Sequence, residues 1–284
     1  MRAWALGVAL AACAAAPAGT APEQVTSLKG WKSLTLKAGA SALYTGSATL
    51  ELAEGPHPHT GRAAIVLTTR SEARLLGAIG FEERSTSWID AATRRPLELF
   101  QLRPGDVARR FRFEADGVRQ TTWKPPEGNT GAPFEAWREQ ETTLRRPTFE
   151  DGSAVPEGEP LVDVYSLLYL LRDMDLSSPK AAAREFIVMQ RRHAVRVVVT
   201  PLERRVQPRE ILDETSGGPR TVRLAERRLG LRAAGPGQAG VRGFLGLEGE
   251  LEIWMEESGG ALVEVRGNAP GVGATSLSLS SCRL

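Results

Sequence analysis

The stretch LGLEGELEIWMEE at residues 245–257 decides the fold class, because two kinds of side chain alternate along it almost without exception. In an extended chain, one side would carry the apolar residues Leu245, Leu247, Leu251, Ile253 and Met255. The other side would carry four acids and one tryptophan, namely Glu248, Glu250, Glu252, Trp254 and Glu256. A period of two residues is that of a β-strand. One apolar and one polar face are typical of an antiparallel sheet with one side in water, and we predict such a sheet.

The same alternation occurs along much of the chain. It is clear in ALYTGSATLEL at 42–52 and in GRAAIVLTTR at 61–70. The stretch RRFRFEADGVRQTTW at 109–123 adds a turn, since Asp116 and Gly117 form a typical two-residue hairpin connection. We therefore predict a mainly β chain built largely from hairpins.

One segment has a helical period instead. In PLVDVYSLLYLLRDMDL, residues 160–176, the apolar side chains recur at helical spacing, at Leu161, Val164, Tyr165, Leu168 and Leu171. Asp163 is the predicted N-cap, and the helix is expected over about residues 161–173. The preceding segment, residues 124–158, is rich in proline, glycine and charge, which predicts a long irregular surface loop.

The N-terminus has the features of an export signal. An apolar run from Ala3 to Ala12 follows Arg2, and it has about half of the roughly 20 residues that a membrane-spanning helix needs. Within it, LAAC resembles the lipobox of bacterial lipoproteins, which implies that Cys13 is acylated and becomes the first mature residue. Ordinary cleavage near Ala16, with Cys13 discarded, and a chance alanine-rich start are the alternatives.

This interpretation gives the domain organisation. Residues 1–12 are the predicted signal peptide, residues 13–27 the lipidated cysteine with a flexible tether, and residues 28–284 a single β-rich domain. Ala14, rather than an aspartate, follows the cysteine, which resembles the default for the periplasmic face of the outer membrane. Sorting to the inner membrane stays open.

Two counts over the whole chain bound the function further. If Cys13 is acylated, Cys282 has no partner, because the chain has only 2 cysteines, and an internal disulfide is excluded. A formal net charge of +2 argues against a dedicated nucleic-acid binder.

Three segments carry a resemblance to a known family. They are RSTSWIDAATRRPLELF at 84–100, VDVYSLLYLLR at 162–172 and LEIWMEESGGALVEV at 251–265. Together they resemble the bacterial envelope domain-of-unknown-function family 3108, although Val164 stands where that family has proline and the last hairpin lacks its usual proline. The resemblance would extend over about residues 31–279. It implies an exported β-rich protein, supplies no catalytic residues, and suggests a shape similar to the half-open β-barrels of lipoprotein carriers.

The histidines and serines do not predict a catalytic or metal site. The PHPH turn presents His57 and His59, but only Glu54 is near in sequence as a third zinc ligand, so we predict a solvated turn and no metal. His193 follows two arginines, which makes it a poor cation ligand. Ser47 and Ser153 lack the pattern of flanking glycines, two residues before and two residues after the serine, that a nucleophile elbow has. We expect no cofactor and no enzymatic activity.

We therefore predict a mainly β fold, a strongly curved antiparallel sheet or half-open β-barrel with one central helix, that binds a ligand in its concave face. The ligand is hydrophobic, a glycan or an envelope protein partner, and the large side chains predicted to line the site are Tyr44, Trp88, Phe111 and Trp254. Paired arginines between residues 180 and 232 form a solvated face or meet anionic headgroups or an acidic glycan. The alternative is a glycan-acting hydrolase that uses acids near the two tryptophan hairpins, namely Glu82, Glu83, Asp90, Glu256 and Glu257.

Overall fold

The computed structural model describes residues 25–39, 44–75, 79–178, 182–234 and 240–284. In these ranges the chain forms one α-helix, α1 (Val164–Arg172), one short 3-10 helix (Phe134–Ala136), and the strands β1 (Ser33–Ala38), β2 (Tyr44–Pro56), β3 (Ala63–Leu75), β4 (Ile79–Asp90), β5 (Pro96–Arg103), β6 (Val107–Glu114), β7 (Gly117–Lys124), β8 (Arg138–Arg145), β9 (Leu161–Val162), β10 (Arg184–Gln190), β11 (His193–Asp213), β12 (Gly218–Ala233), β13 (Val241–Phe244), β14 (Leu247–Glu256), β15 (Leu262–Ala269) and β16 (Gly273–Arg283). The predicted fold class is confirmed: the protein is mainly β with one helix.

The strands form one sheet that curves back on itself. Its order runs from β8 stepwise down to β1, then through β16, β15, β14, β12, β11 and β10 to β9, with β13 beside β14. The end of β11 also pairs with β16, at Leu212 opposite Ser281, which closes β11, β12, β14, β15 and β16 into a ring. Strands β1 to β8 extend from this ring as an open, curved flank. The closed ring and the open flank together give the half-open shape.

Helix α1 lies inside the curve of the sheet. Asp163 has extended backbone angles and its carboxylate accepts hydrogen bonds from the backbone N–H groups of Tyr165 at 2.9 Å and Ser166 at 3.0 Å, so the predicted N-cap is confirmed. The helix contacts β4, β10 and β13. Leu168 and Leu171 are both buried, and so is almost all of its circumference, as expected of a helix enclosed by sheet.

Two predicted boundaries are wrong. The helix begins at Val164 rather than near 161, because Leu161 and Val162 form β9 and pair with β10. The predicted loop over residues 124–158 contains the 3-10 helix and the whole of β8. The side chains of β8 are largely exposed, so this edge strand lacks the apolar alternation that marks the others.

The domain has one main core. Leu28 and Trp31, just before β1, belong to it together with side chains from both the ring and the flank. Cys13 and the rest of the predicted signal and tether, up to residue 24, lie outside the described residues. Among the described residues, no helix has the length and apolar character needed to cross a membrane.

Candidate functional site

A cavity of about 710 Å³ lies on the inner face of the open flank. Residues directly opposite each other on paired strands share a face, and the register pairs Leu99 and Gln101 of β5 with Phe111 and Arg109 of β6, and Phe111 in turn with Gln120 of β7. Alternate side chains of these three strands therefore form one wall, namely Leu99, Gln101, Arg103, Val107, Arg109, Phe111, Gln120, Thr122 and Lys124.

The facing wall comes from distant parts of the chain. The hairpin between β10 and β11 contributes residues 189–193, and β13 contributes Arg242. The start of α1, at Asp163 and Val164, completes the lining. The cavity thus lies between the flank and the helix, where a half-open barrel leaves its concave face uncovered.

Basic side chains predominate in the lining. They are Arg103, Lys124, Arg109, Arg145, Arg191, Arg192, His193 and Arg242, against the acids Glu83, Asp106, Glu141, Glu150 and Asp163. Arg103 Nε lies 2.7 Å from Glu83 Oε2, and Arg145 lies 3.4 Å from Glu141. Within the described part of the chain, Arg191, Arg192 and Arg242 make no ion pair, so the cavity keeps an excess of positive charge.

Arg109 and Arg191 line this space from facing walls, and their positive charges repel each other. Burial lowers the pKa of the Arg109 guanidinium, and the neighbouring Arg191 and Arg103 lower it further, while Asp106 and Glu83 oppose that effect. An arginine stays protonated in proteins at neutral pH. The side chains from β6 and the β10–β11 hairpin therefore hold like charges together, and an anion between them would relieve the repulsion.

The hairpin that carries Arg191 has an unusual backbone. Gln190 pairs with His193, which leaves Arg191 and Arg192 as a two-residue turn. Arg191 has a φ of 47°, a left-handed conformation that Asn and Gly adopt far more readily than Arg. Backbone strain of this kind is concentrated at functional sites, and here it occurs at the rim of the basic cavity.

Polar side chains form the inner end of the cavity. Glu83 is buried, with one oxygen on Arg103 and the other, Oε1, without a hydrogen-bond partner among the described residues. Asp163 is fully buried and accepts a hydrogen bond from Ser87 Oγ at 2.9 Å and another from Ser166 Oγ. Burial raises the pKa of Asp163, partly offset by these hydrogen bonds. Its oxygens are used to cap α1 and to fasten it to β4.

The four predicted ligand residues do not converge. Phe111 alone of the four lines the cavity, where it is almost fully buried. Trp254 is buried beneath Arg205, and Trp88 lies on the outer face of β4 against the His57 ring. Tyr44 is half-buried on β2, where burial raises the pKa of its hydroxyl. Arg109 was not predicted from the sequence as a cavity residue. Its position on the same strand face as Phe111 could have identified it.

The acids of the hydrolase alternative are spread over separate contacts. Asp90 accepts the backbone N–H of Thr93 at 2.8 Å and pairs with Arg62 at 2.7 Å, and these interactions lower its pKa. Glu256 accepts the backbone N–H of Gly259 at 2.6 Å in the β14–β15 hairpin. Of the five acids, Glu83 is the one that lines the cavity.

The remaining two acids of that set also have basic partners. Glu82 lies 2.8 Å from Arg84, and Glu257 lies 2.8 Å from Arg204. Both are therefore engaged in ion pairs, Glu82 with a partly exposed side chain and Glu257 with a buried one.

The PHPH turn differs from the prediction at its first histidine. His57 is only 3% exposed, whereas His59 is 41% exposed as a solvated turn requires. Glu98 lies 3.7 Å from both imidazoles and is itself held by Arg112 at 2.8 Å. This carboxylate, distant in sequence, draws the turn onto the outer face of the sheet. Across the described ranges no three His, Cys, Asp or Glu residues are grouped so that they could hold a metal ion.

The sequence matches no family model and no curated protein. The solved structures that are similar in fold include a β-barrel-like protein of the domain of unknown function DUF1849 from Brucella abortus. The two chains are 9% identical, with a TM-score of 0.50, and the similarity covers 88% of this chain and 94% of the other. The fold is therefore shared with a bacterial β-barrel-like domain of unknown function.

Proposed function

We propose that the protein is a non-catalytic binding protein that holds an anionic ligand in the basic cavity. The observation that carries this proposal is that Arg109 and Arg191 line one cavity from facing walls, with no carboxylate ion-paired to Arg191 within the described ranges. Like charges that converge in a hollow cost free energy unless a ligand of opposite charge joins them.

The size and lining of the cavity support a small ligand or one end of a larger one. Ligand cavities commonly enclose about 300–1,000 Å³, and this cavity, of about 710 Å³, falls in that range. Most of its charged side chains are basic, so a purely apolar ligand would leave them unpaired. An acidic glycan and an anionic lipid headgroup share the required chemistry.

The cellular setting is part of the same proposal. The lipobox resemblance and the short apolar N-terminal run support a protein that is anchored through acylated Cys13 at the periplasmic face of the outer membrane. The fold is similar to that of a bacterial β-barrel-like domain of unknown function, whereas no family model matches the chain, so the resemblance to family 3108 and the envelope role that it implies stay predictions. A ligand held there would be a component of the envelope itself.

A binding comparison tests the anion requirement. Calorimetric titration with methyl phosphate and glucuronate should give binding that weakens as salt is added, while neutral glucose should give none. The Arg109→Gln and Arg191→Gln variants should each lose at least about tenfold in affinity, since one paired charge is removed. Arg232→Gln is the matched control, because Arg232 is 72% exposed and lies outside the cavity.

Two results would overturn the proposal. One is binding of glucose as tight as that of glucuronate. The other is an unchanged affinity for the anions in both cavity variants.

A further inference from the structure

The inner face of the open flank continues past the basic cavity. On the same alternation that places Leu99, Phe111 and Gln120 in the cavity, the next inward side chains are Leu97 of β5, Phe113 of β6 and Val118 of β7. Phe113 lies directly opposite Val118. The wall therefore changes from basic to apolar along the direction of the strands.

A second hollow of about 580 Å³ covers this apolar part. Leu97, Phe113 and Val118 form its floor, and the segment before α1 forms its roof, chiefly through Pro147, Val155 and Leu161. Phe149 of that segment packs on Ile187 and Ala194, which fixes the roof to the β10–β11 hairpin.

Seven charged residues also line this second hollow, namely Arg62, Arg95, Glu114, Asp116, Arg146, Glu157 and Glu159, and two of them are already paired. Arg62 lies 2.7 Å from Asp90, and Glu114 lies 2.8 Å from Arg119. The floor itself is apolar. An apolar chain laid over it would therefore not displace a buried ion pair.

Phe113 borders both hollows. It is half-buried and packs against the main core. A ligand that occupies both spaces would pass over this ring. Its charged end would meet Arg109 and Arg191, and its other end would meet Leu97 and Val118.

We propose that the ligand is an anionic amphiphile, with the anion in the basic cavity and an alkyl chain across Phe113 into the second hollow. This inference rests on the proposed function and adds the chemical class of the ligand. Each methylene that is fully buried strengthens binding by about fourfold. An alkyl chain should therefore increase affinity well beyond that of the anion alone.

Calorimetric titration of the soluble domain, residues 25–284, with inorganic phosphate, dodecyl phosphate and dodecyl maltoside tests the inference, each amphiphile being kept below its micelle concentration. Dodecyl phosphate should bind at least about tenfold more tightly than phosphate. Dodecyl maltoside, which has the same chain and no charge, should bind at least about tenfold more weakly than dodecyl phosphate.

Two variants test the apolar end and the anionic end of the proposed site separately. Leu97→Asp places a carboxylate in the apolar floor, so it should abolish the gain from the chain and leave phosphate binding unchanged. Arg109→Gln should weaken both phosphate and dodecyl phosphate. Val206→Asp is the matched control, because Val206 is 41% exposed and lines neither hollow. Far-ultraviolet circular dichroism of each variant checks that the fold is intact.

The outcomes distinguish this inference from the proposed function. Equal affinity for phosphate and dodecyl phosphate, or an undiminished chain effect in a folded Leu97→Asp variant, overturns the amphiphile and leaves the anion site in place. If dodecyl maltoside binds as tightly as dodecyl phosphate, or if neither phosphate compound binds, both proposals fall.

Discussion

Ser87 of β4 donates a hydrogen bond of 2.9 Å to the carboxylate of Asp163, the residue that caps α1. Both residues are completely buried. This contact links the sheet to the helix that fills its concave side, and the same carboxylate borders the basic cavity. The position of the helix therefore helps to define the cavity wall opposite the flank.

Removal of the Ser87 hydroxyl should destabilise this contact between β4 and α1. We expect Ser87→Ala to reduce the free energy of unfolding by about 1–3 kcal/mol, because the buried Asp163 oxygen loses a donor. Urea denaturation followed by tryptophan fluorescence measures the change. Ser177→Ala is the control, since Ser177 is exposed and donates its hydroxyl hydrogen bond to nearby Asp175, so its loss should change stability little. Equal midpoints for the two variants would contradict the structural role of Ser87.

Asp163 should also make stability depend on pH. Burial raises its pKa in the folded protein above the ordinary value of 3.8, so the folded state holds this proton more tightly than the unfolded chain does. Its contribution is complete below about pH 3.8 and decreases as the pH rises through the raised pKa. The melting temperature of the wild type, relative to that of Asp163→Asn, should therefore increase on acidification from pH 7 towards pH 4. A difference that stays constant over this range would show that Asp163 does not titrate differently in the folded state.

Leu168 should contribute to the core rather than to ligand binding. It is buried on α1 in the main core, and neither hollow includes it. We expect Leu168→Ala to cost about 2–5 kcal/mol of stability, through lost apolar burial and the space left behind. Leu144→Ala, at a residue that is 42% exposed, is the control for the same substitution. Chemical denaturation measures both, and a Leu168→Ala midpoint equal to that of the wild type would show that the helix does not pack on the sheet.

The lipid anchor can be tested without knowledge of the ligand. We expect Cys13→Ala to move the protein from the membrane fraction to the soluble fraction, because the acyl chains attached to this thiol would be its anchor. Immunoblots of fractionated cells, with Cys282→Ala as the control cysteine variant, measure the distribution. Recovery of Cys13→Ala in the membrane pellet at the level of the wild type would refute the lipoprotein prediction.

The sequence by itself determined the features that depend on neighbouring residues. The period of two in the stretch around Trp254 is a property of consecutive side chains, and so is the helical period after Asp163. The N-cap is equally local, because its carboxylate bonds to the backbone two and three residues ahead. These signals were sufficient for a mainly β fold with one central helix. Strand β8 was not predicted, because an exposed edge strand has no apolar face and therefore no alternation in its sequence.

Only the tertiary structure decided which face of each strand lines the cavity and which one lies on the outside of the sheet. Alternation shows that a strand has two faces but not which one the sheet curves around, and this is why Phe111 lines the cavity while Trp88 lies outside it. His57 is buried by Glu98, which belongs to another strand. Arg109 and Arg191, far apart along the chain, line one cavity only because the flank and the β10–β11 hairpin face each other across the opening. Sheet curvature and contacts between distant strands arise from the packing of the whole chain, and a local pattern carries no information about them.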